Sequence, residues 1–208
     1  LLDAQLTVGL PASITADTGM DALTHAVEAV VCPVSNAFTN GLAFSAVEYI
    51  LAALPLAVQN GRNLQAREDM LQAASMATLA LNNAVGAAPV HNCSHALGAL
   101  YHIPHGRANG VLLPVVMEEL IEFYLPYAVP LGKAFGVPVG TAESTVRAVI
   151  ALIKQLQQDT GMPATFAEFK IPASDMERIM MAIASDPLAV MYQIPLEKMA
   201  AIVTRVMG

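Results

Sequence analysis

Five side chains of this chain could surround a metal ion, and they come in two groups: Asp21 and His25 in GMDALTHAVEA, then His91, His95 and His105 in VHNCSHALGALYHIPHG. Asp21 and His25 stand four residues apart, as do His91 and His95. On a helix that spacing puts two side chains on one face, within reach of a common ion. Imidazole is the commonest neutral ligand and a carboxylate suits harder cations, so a mixed His and Asp set points to iron or zinc. Four of the five histidines fall between positions 91 and 105. Spacing leaves open which two of His91, His95 and His105 touch the ion. His102, seven residues past His95, is expected to be a satisfied core histidine. Taken alone, Asp21 and His25 better suit an acid on a helix dipole with a histidine on the same face. The second His pair, in an uncharged stretch, favours the cation, because buried polar groups need partners. Glu28 is read as an ordinary helix charge, with a bond to a ligand as its alternative.

Helices must position these residues. Leu1 to Ile14 reads as strand-like or irregular. Thr15 or Thr18 is expected to cap the next helix, with Asp21 in its first turn and Pro33 stopping it after about Cys32. A second apolar-periodic run spans Asn40 to Val58 and ends at Asn60-Gly61. A third, from Gln65 to about Val85, is rich in Ala, Met and Leu, and Ala73, Ala74, Ala77 and Ala80 invite a close neighbour. After a break at Gly86 and Pro89, a helix carries His91 and His95 to about Tyr101. Pro104 biases Ile103 away from helix and puts His105 on the turn that follows. Glu118 to Leu125, Thr141 to Thr160, Ser174 to Ala184 and Leu196 to Met207 complete an all-α reading, naturally a helical bundle.

Composition narrows the class. The 208 residues are 55% hydrophobic and 13% charged, against a usual charged share of roughly 25%. Met70 to Gly106 holds no Asp, Glu, Lys or Arg, and neither does Ala29 to Val47. A membrane span is not the reading, since the long stretch contains Asn82, Asn83, Asn92, Pro89 and the histidines and has no basic flanks. Buried helices are expected, with part of the apolar surface against a partner domain or another copy in a homo-oligomer. A net charge of −7 argues against nucleic acid. Cys32 and Cys93, without a secretory signal, suggest a reducing cytoplasm, and Cys93 is read as packing. The methionines are read as core filler. No GxGxxG, P-loop or GxSxG occurs, so nothing would cradle a nucleotide's phosphates.

Two long blocks, LPASITADTGMDALTHAVEA and VHNCSHALGALYHIPHGRANGVLLPVVM, together with the tail IASDPLAVMYQIPLEKMAAIV, resemble the iron-containing (group III) alcohol dehydrogenases, the family that includes lactaldehyde reductase. The resemblance covers nearly the whole chain. It implies the C-terminal helical domain of a dehydroquinate synthase-like fold, whose N-terminal α/β domain holds NAD(P). Residues 1–208 would be that second domain alone, in keeping with a start, LLDAQLTVGLP, that reads like the middle of a chain. By position it implies Asp21, His25, His91 and His105 as metal ligands, with His95 as a proton-relay or substrate-contacting residue. The related zinc-using glycerol dehydrogenases lack the full four-ligand pattern, so its completeness here implies Fe(II), with Zn(II) possible by affinity order. The implied chemistry is polarisation of an alcohol or carbonyl oxygen for hydride exchange with nicotinamide, on a small alcohol or aldehyde. Asp17 departs from the pattern, which commonly has a small or apolar residue there. A lone domain of this kind is expected to bind metal without transferring hydride. Two other readings remain: a non-catalytic metal-binding module or inactive remnant, and a metal hydrolase whose only bases would be His95 or Glu28.

Overall fold

The computed structural model describes residues 1–84 and 88–208. Val85 and Gly86, where the third helix was expected to end and break, lie outside the described residues. Among the described residues there are ten α-helices and no strand: α1 Ala12–Val30, α2 Ala37–Gln59, α3 Leu64–Asn83, α4 Pro89–Tyr101, α5 His105–Glu119, α6 Ile121–Tyr124, α7 Ala128–Phe135, α8 Ala142–Thr160, α9 Met176–Ser185 and α10 Leu196–Met207. Short 3-10 turns join several of them.

Local chemistry sets most of the ends. Asn36 accepts from the Phe38 and Thr39 amides at 3.0 and 3.2 Å, and the Thr39 hydroxyl accepts from the Asn36 amide at 2.9 Å, a reciprocal capping box. Asn63 caps α3 through the Ala66 amide. Thr141 caps α8 through the Ser144 amide, and Gly161, at φ 68°, closes that helix in the left-handed region.

Several expectations about the chain around the site are corrected. The segment before α1 is neither strand nor irregular throughout: Ala4–Thr7 is a 3-10 turn and α1 begins at Ala12 behind Pro11. Pro11 has no amide hydrogen to satisfy and its φ is already fixed. Thr15 and Thr18 therefore lie inside the helix, their hydroxyls donating back to the carbonyls of Pro11 and Ile14. Asp21 is mid-helix, too far from the end for the dipole to matter. Likewise, His105 is the first residue of a helix rather than part of a turn, because Pro104 opens α5 instead of merely ending α4. The helix expected from Glu118 is the end of α5 followed by the short α6.

Helix α1 lies at the centre, packed on α2, α3 and α5, while α5 also contacts α4, α8 and α10. Met20, Leu23 and Val27 of α1 meet Ile50 and Leu54 of α2 and Val111 and Leu112 of α5 in one buried core. Of the small residues of α3, Ala73, Ala77 and Ala80 are fully buried, and Ala74 is partly buried against the same core. By length and composition α2 is apolar enough to cross a membrane, with a mean hydropathy of 1.8. It packs against α1, α3, α7 and α8.

A charged cluster ties three helices at the far end of α5. Glu118 pairs with Lys154 of α8 and Arg205 of α10, and Arg205 also donates to Glu119 at 2.7 Å. Burial pushes the Glu118 carboxyl up, but the bonds and charges of Lys154 and Arg205 outweigh it and hold the pKa below its ordinary value. A lowered folded-state pKa gives stability that is present above the ordinary carboxylate range and lost as pH falls through the lowered value. Glu118→Gln is expected to lower the melting temperature at neutral pH by roughly 2–4 °C. The difference should close in acid, well below the ordinary carboxylate range. Melting curves that stay equally separated at both pH values would contradict this.

Candidate metal centre

The site is built where α1, α4 and α5 meet. Asp21 and His25 sit one turn apart on α1, His91 comes from the first turn of α4, and His105 opens α5. Their ligating atoms all lie within 4.8 Å of one another. Asp21 Oδ1 is the hub, 4.0 Å from His25 Nε2, 4.0 Å from His91 Nε2 and 3.5 Å from His105 Nε2. The His25 and His91 rings stack, with centroids 4.8 Å apart and planes 8° from parallel. The cage has a closed side and an open side: the His91 side chain is 6% exposed and that of His105 is 46% exposed.

Electrostatics keep two of the imidazoles available. Burial lowers the pKa of His25 and of His105, against the opposing pull of Asp21, so both rings stay neutral with a lone pair to offer. Burial acts the same way on His91, but the charge and hydrogen bond of Glu28, with Asp21, raise it overall. Glu28 is fully buried. One of its oxygens accepts from the Val90 amide at 2.7 Å and the other pairs with His91 Nδ1. Glu28 is thus no ordinary helix charge: an acceptor buried against His91 Nδ1, it favours a proton there and leaves Nε2 facing the cage.

Such a donor set fits a divalent cation. Ligand atoms about 2.1 Å from an ion stand roughly 3.4 Å apart in a tetrahedron. The Asp21–His105 separation is close to that, and the two of 4.0 Å lie about 0.6 Å beyond it.

His95 stands beside the cage rather than in it, its ring centroid 6.0 Å from that of His91 and 5.6 Å from that of His105. Its Nδ1 is 3.0 Å from Asp186 Oδ2, and the other oxygen of Asp186 accepts from the Leu188 amide at 2.9 Å. His102 is corrected: it is exposed, at φ 55°, as the left-handed cap of α4. Helix α4 stops at Tyr101, so the heptad spacing from His95 no longer places His102 on the inner face. Cys93 packs as expected, fully buried, with burial pushing its thiol pKa far up.

Three residues had no role in the sequence reading. Asn109 is fully buried one turn after His105, its amide nitrogen 2.6 Å from Asp21 Oδ1 and 3.1 Å from both His91 Nε2 and His105 Nε2. Its spacing of four from His105 was a usable signal, hidden because α5 was not expected there. Asp186 gave no signal at a distance of 91 residues from His95. Arg107 explains Asp17: its Nε donates to Asp17 Oδ1 at 2.7 Å and its Nη1 to Glu168 at 2.6 Å, tying α1 to α5 beside the cage. The hydrogen bond to Asp17 raises the guanidinium pKa further, against partial burial.

A helical domain that gathers one carboxylate and three imidazoles from three helices has the donor set that a mononuclear metal site would use. The family of the chain is specific. Residues 15–206 match the family described as Fe-containing alcohol dehydrogenase family, C-terminal, and the chain belongs to that family. It is 40% identical over 184 residues to long-chain-alcohol dehydrogenase 1 of Geobacillus thermodenitrificans, covering 86% of this chain and 46% of that protein. It is 41% identical over 177 residues to 1,3-propanediol dehydrogenase of Klebsiella pneumoniae, covering 83% and 45%. Among solved structures, a 1,3-propanediol oxidoreductase superposes with a TM-score of 0.89 at 35% identity, over 98% of this chain and 54% of that one. The chain therefore spans about half the length of the relatives it matches.

Proposed function

We propose that this chain is the metal-holding helical domain of an alcohol dehydrogenase or aldehyde reductase acting on a small alcohol or aldehyde. The observation that carries the reading is the convergence of Asp21, His25, His91 and His105 on one point, in a chain of this family. Fe(II) is the proposed ion, with Zn(II) its competitor by affinity order. Such a cation supplies Lewis acidity toward an alcohol or carbonyl oxygen.

The chain's own residues supply the rest. Asp21 contributes the one negative charge of the donor set. Glu28 fixes the His91 tautomer. The half-exposed His105 marks the side from which a substrate oxygen would approach. His95 lies on that side, and with Nδ1 engaged by Asp186 its Nε2 is left to exchange a proton with substrate or solvent. Buried Met20 and Leu97, with the other apolar residues of α1 and α4, keep water from the closed side. The NAD(P) site is proposed to lie on a glycine-rich α/β domain that these 208 residues do not contain. Two free, buried cysteines support a cytoplasmic setting. Exposed Met181, Val190, Met191 and Leu196 support burial against a further domain or a second copy.

Metal analysis of anaerobically purified protein tests this reading. Wild type should hold close to one divalent ion per chain, whereas Asp21→Ala and His105→Ala should hold trace amounts. Equal trace metal in all three would remove the cage and the dehydrogenase reading with it.

A further inference from the structure

Asn109 sits in the cage without being a metal ligand by type, and its hydrogen bonds can be counted. A carboxamide nitrogen carries two donor hydrogens. Three acceptors lie in reach: Asp21 Oδ1 at 2.6 Å, His91 Nε2 at 3.1 Å and His105 Nε2 at 3.1 Å. Each imidazole Nε2 has one lone pair, and ligation of a cation consumes it. A carboxylate oxygen has a second lone pair to spare. Of the three contacts, only the shortest is compatible with a filled cage. The amide is aimed from its donor side alone, since Asn109 Oδ1 is buried with no hydrogen-bond partner among the described residues. Turned over, that oxygen would face the Asp21 carboxylate. The backbone behind it is fixed as well, because Gln157 of α8 donates to the carbonyl of the neighbouring Gly110 at 2.7 Å.

We infer that Asn109 is the positioning residue for Asp21, holding the carboxylate's ligating oxygen at the centre of the three imidazoles. The inference rests on the metal-site reading above and adds to it a residue outside the ligand set. A partner of this kind sets the orientation and basicity of a ligand, and losing it typically weakens metal binding about ten- to a hundredfold.

The test is a Co(II) titration of the metal-free chain, followed by visible ligand-field absorption, in wild type, Asn109→Leu, Asn109→Ala and Asp21→Ala. Leu nearly matches the shape of Asn and removes the donor, so a residue that merely fills space would leave binding unchanged. The expected result is Co(II) binding about ten- to a hundredfold weaker in Asn109→Leu and in Asn109→Ala, with altered ligand-field bands and helical circular dichroism like that of wild type. Affinity within threefold of wild type and an unchanged spectrum would overturn the inference, as would a failure of Asn109→Leu to fold, which would make the residue structural. If wild type itself binds no more tightly than Asp21→Ala, the metal-site reading fails; if only the Asn109 variants match wild type, that reading stands and this one falls.

Discussion

Glu28→Gln should leave the chain folded and weaken its hold on a divalent cation about ten- to a hundredfold. The reason is a mismatch of donors. Glu28 offers two acceptor oxygens, one taken by the Val90 amide and one by His91 Nδ1, and it does so with no exposure to solvent. A carboxamide has the same shape but only one acceptor. If its oxygen keeps the Val90 amide, its nitrogen faces His91 Nδ1 and donates to it, so the imidazole must carry its proton on Nε2. That proton then points into the cage, where the cation needs a lone pair. Should the amide turn the other way, two donors meet at Val90 and the first turn of α4 loses its anchor. Either arrangement costs affinity while keeping the packing volume. Glu28→Ala removes both acceptors and is expected to cost about 2–4 kcal/mol in stability as well, since a buried amide and a buried ring nitrogen lose their partner. Metal titration and chemical denaturation of the two variants separate the effects. Full affinity in Glu28→Gln would show that the His91 tautomer is set by something other than Glu28.

The contrast between Glu28 and its neighbours shows what was readable from sequence. Asp21, His25, His91 and His105 could be singled out because their types are rare among Ala, Leu and Val and their spacing matches a helix turn. Which of the histidines converge on Asp21 came from the family resemblance, since spacing alone could not separate His91, His95 and His105. Glu28 was visible as a residue, but its role depends on burial against the start of α4, 62 residues away. Charge alone argued for solvent. The all-α class followed from long runs of strong helix formers, and α10 falls on Leu196–Met207 as read. One error falls at a proline. Pro104 was read for what it prevents, whereas it precedes a helix that it helps to start. The mistake had a consequence, because without α5 the four-residue step from His105 to Asn109 carries no meaning.

Gly106→Ala is expected to be among the most damaging single-methyl additions in the molecule. A Cβ at Gly106 would stand 2.4 Å from the Asp17 carbonyl oxygen and 2.7 Å from its carbonyl carbon. Both obstacles are backbone atoms of α1, so no rotamer change relieves them. The two helices must separate, and the separation acts directly on the cage, since Gly106 follows His105 and Asp17 lies one turn before Asp21. The Arg107–Asp17 bond, which closes the same seam, would be stretched with it. Overpacking of this kind costs about 1–3 kcal/mol or more, and here the loss should appear twice, in the denaturation midpoint and in the metal affinity. Gly41 supplies the control. It is exposed within α2, and a Cβ there meets nothing within 4 Å. Gly41→Ala should stabilise the chain by about 0.5–1 kcal/mol through helix propensity alone and leave metal binding unchanged. Similar midpoints and affinities for the two alanine variants would mean that α1 and α5 can part at Gly106 without disturbing the ligands, and that the seam is not what holds Asp21 against His105.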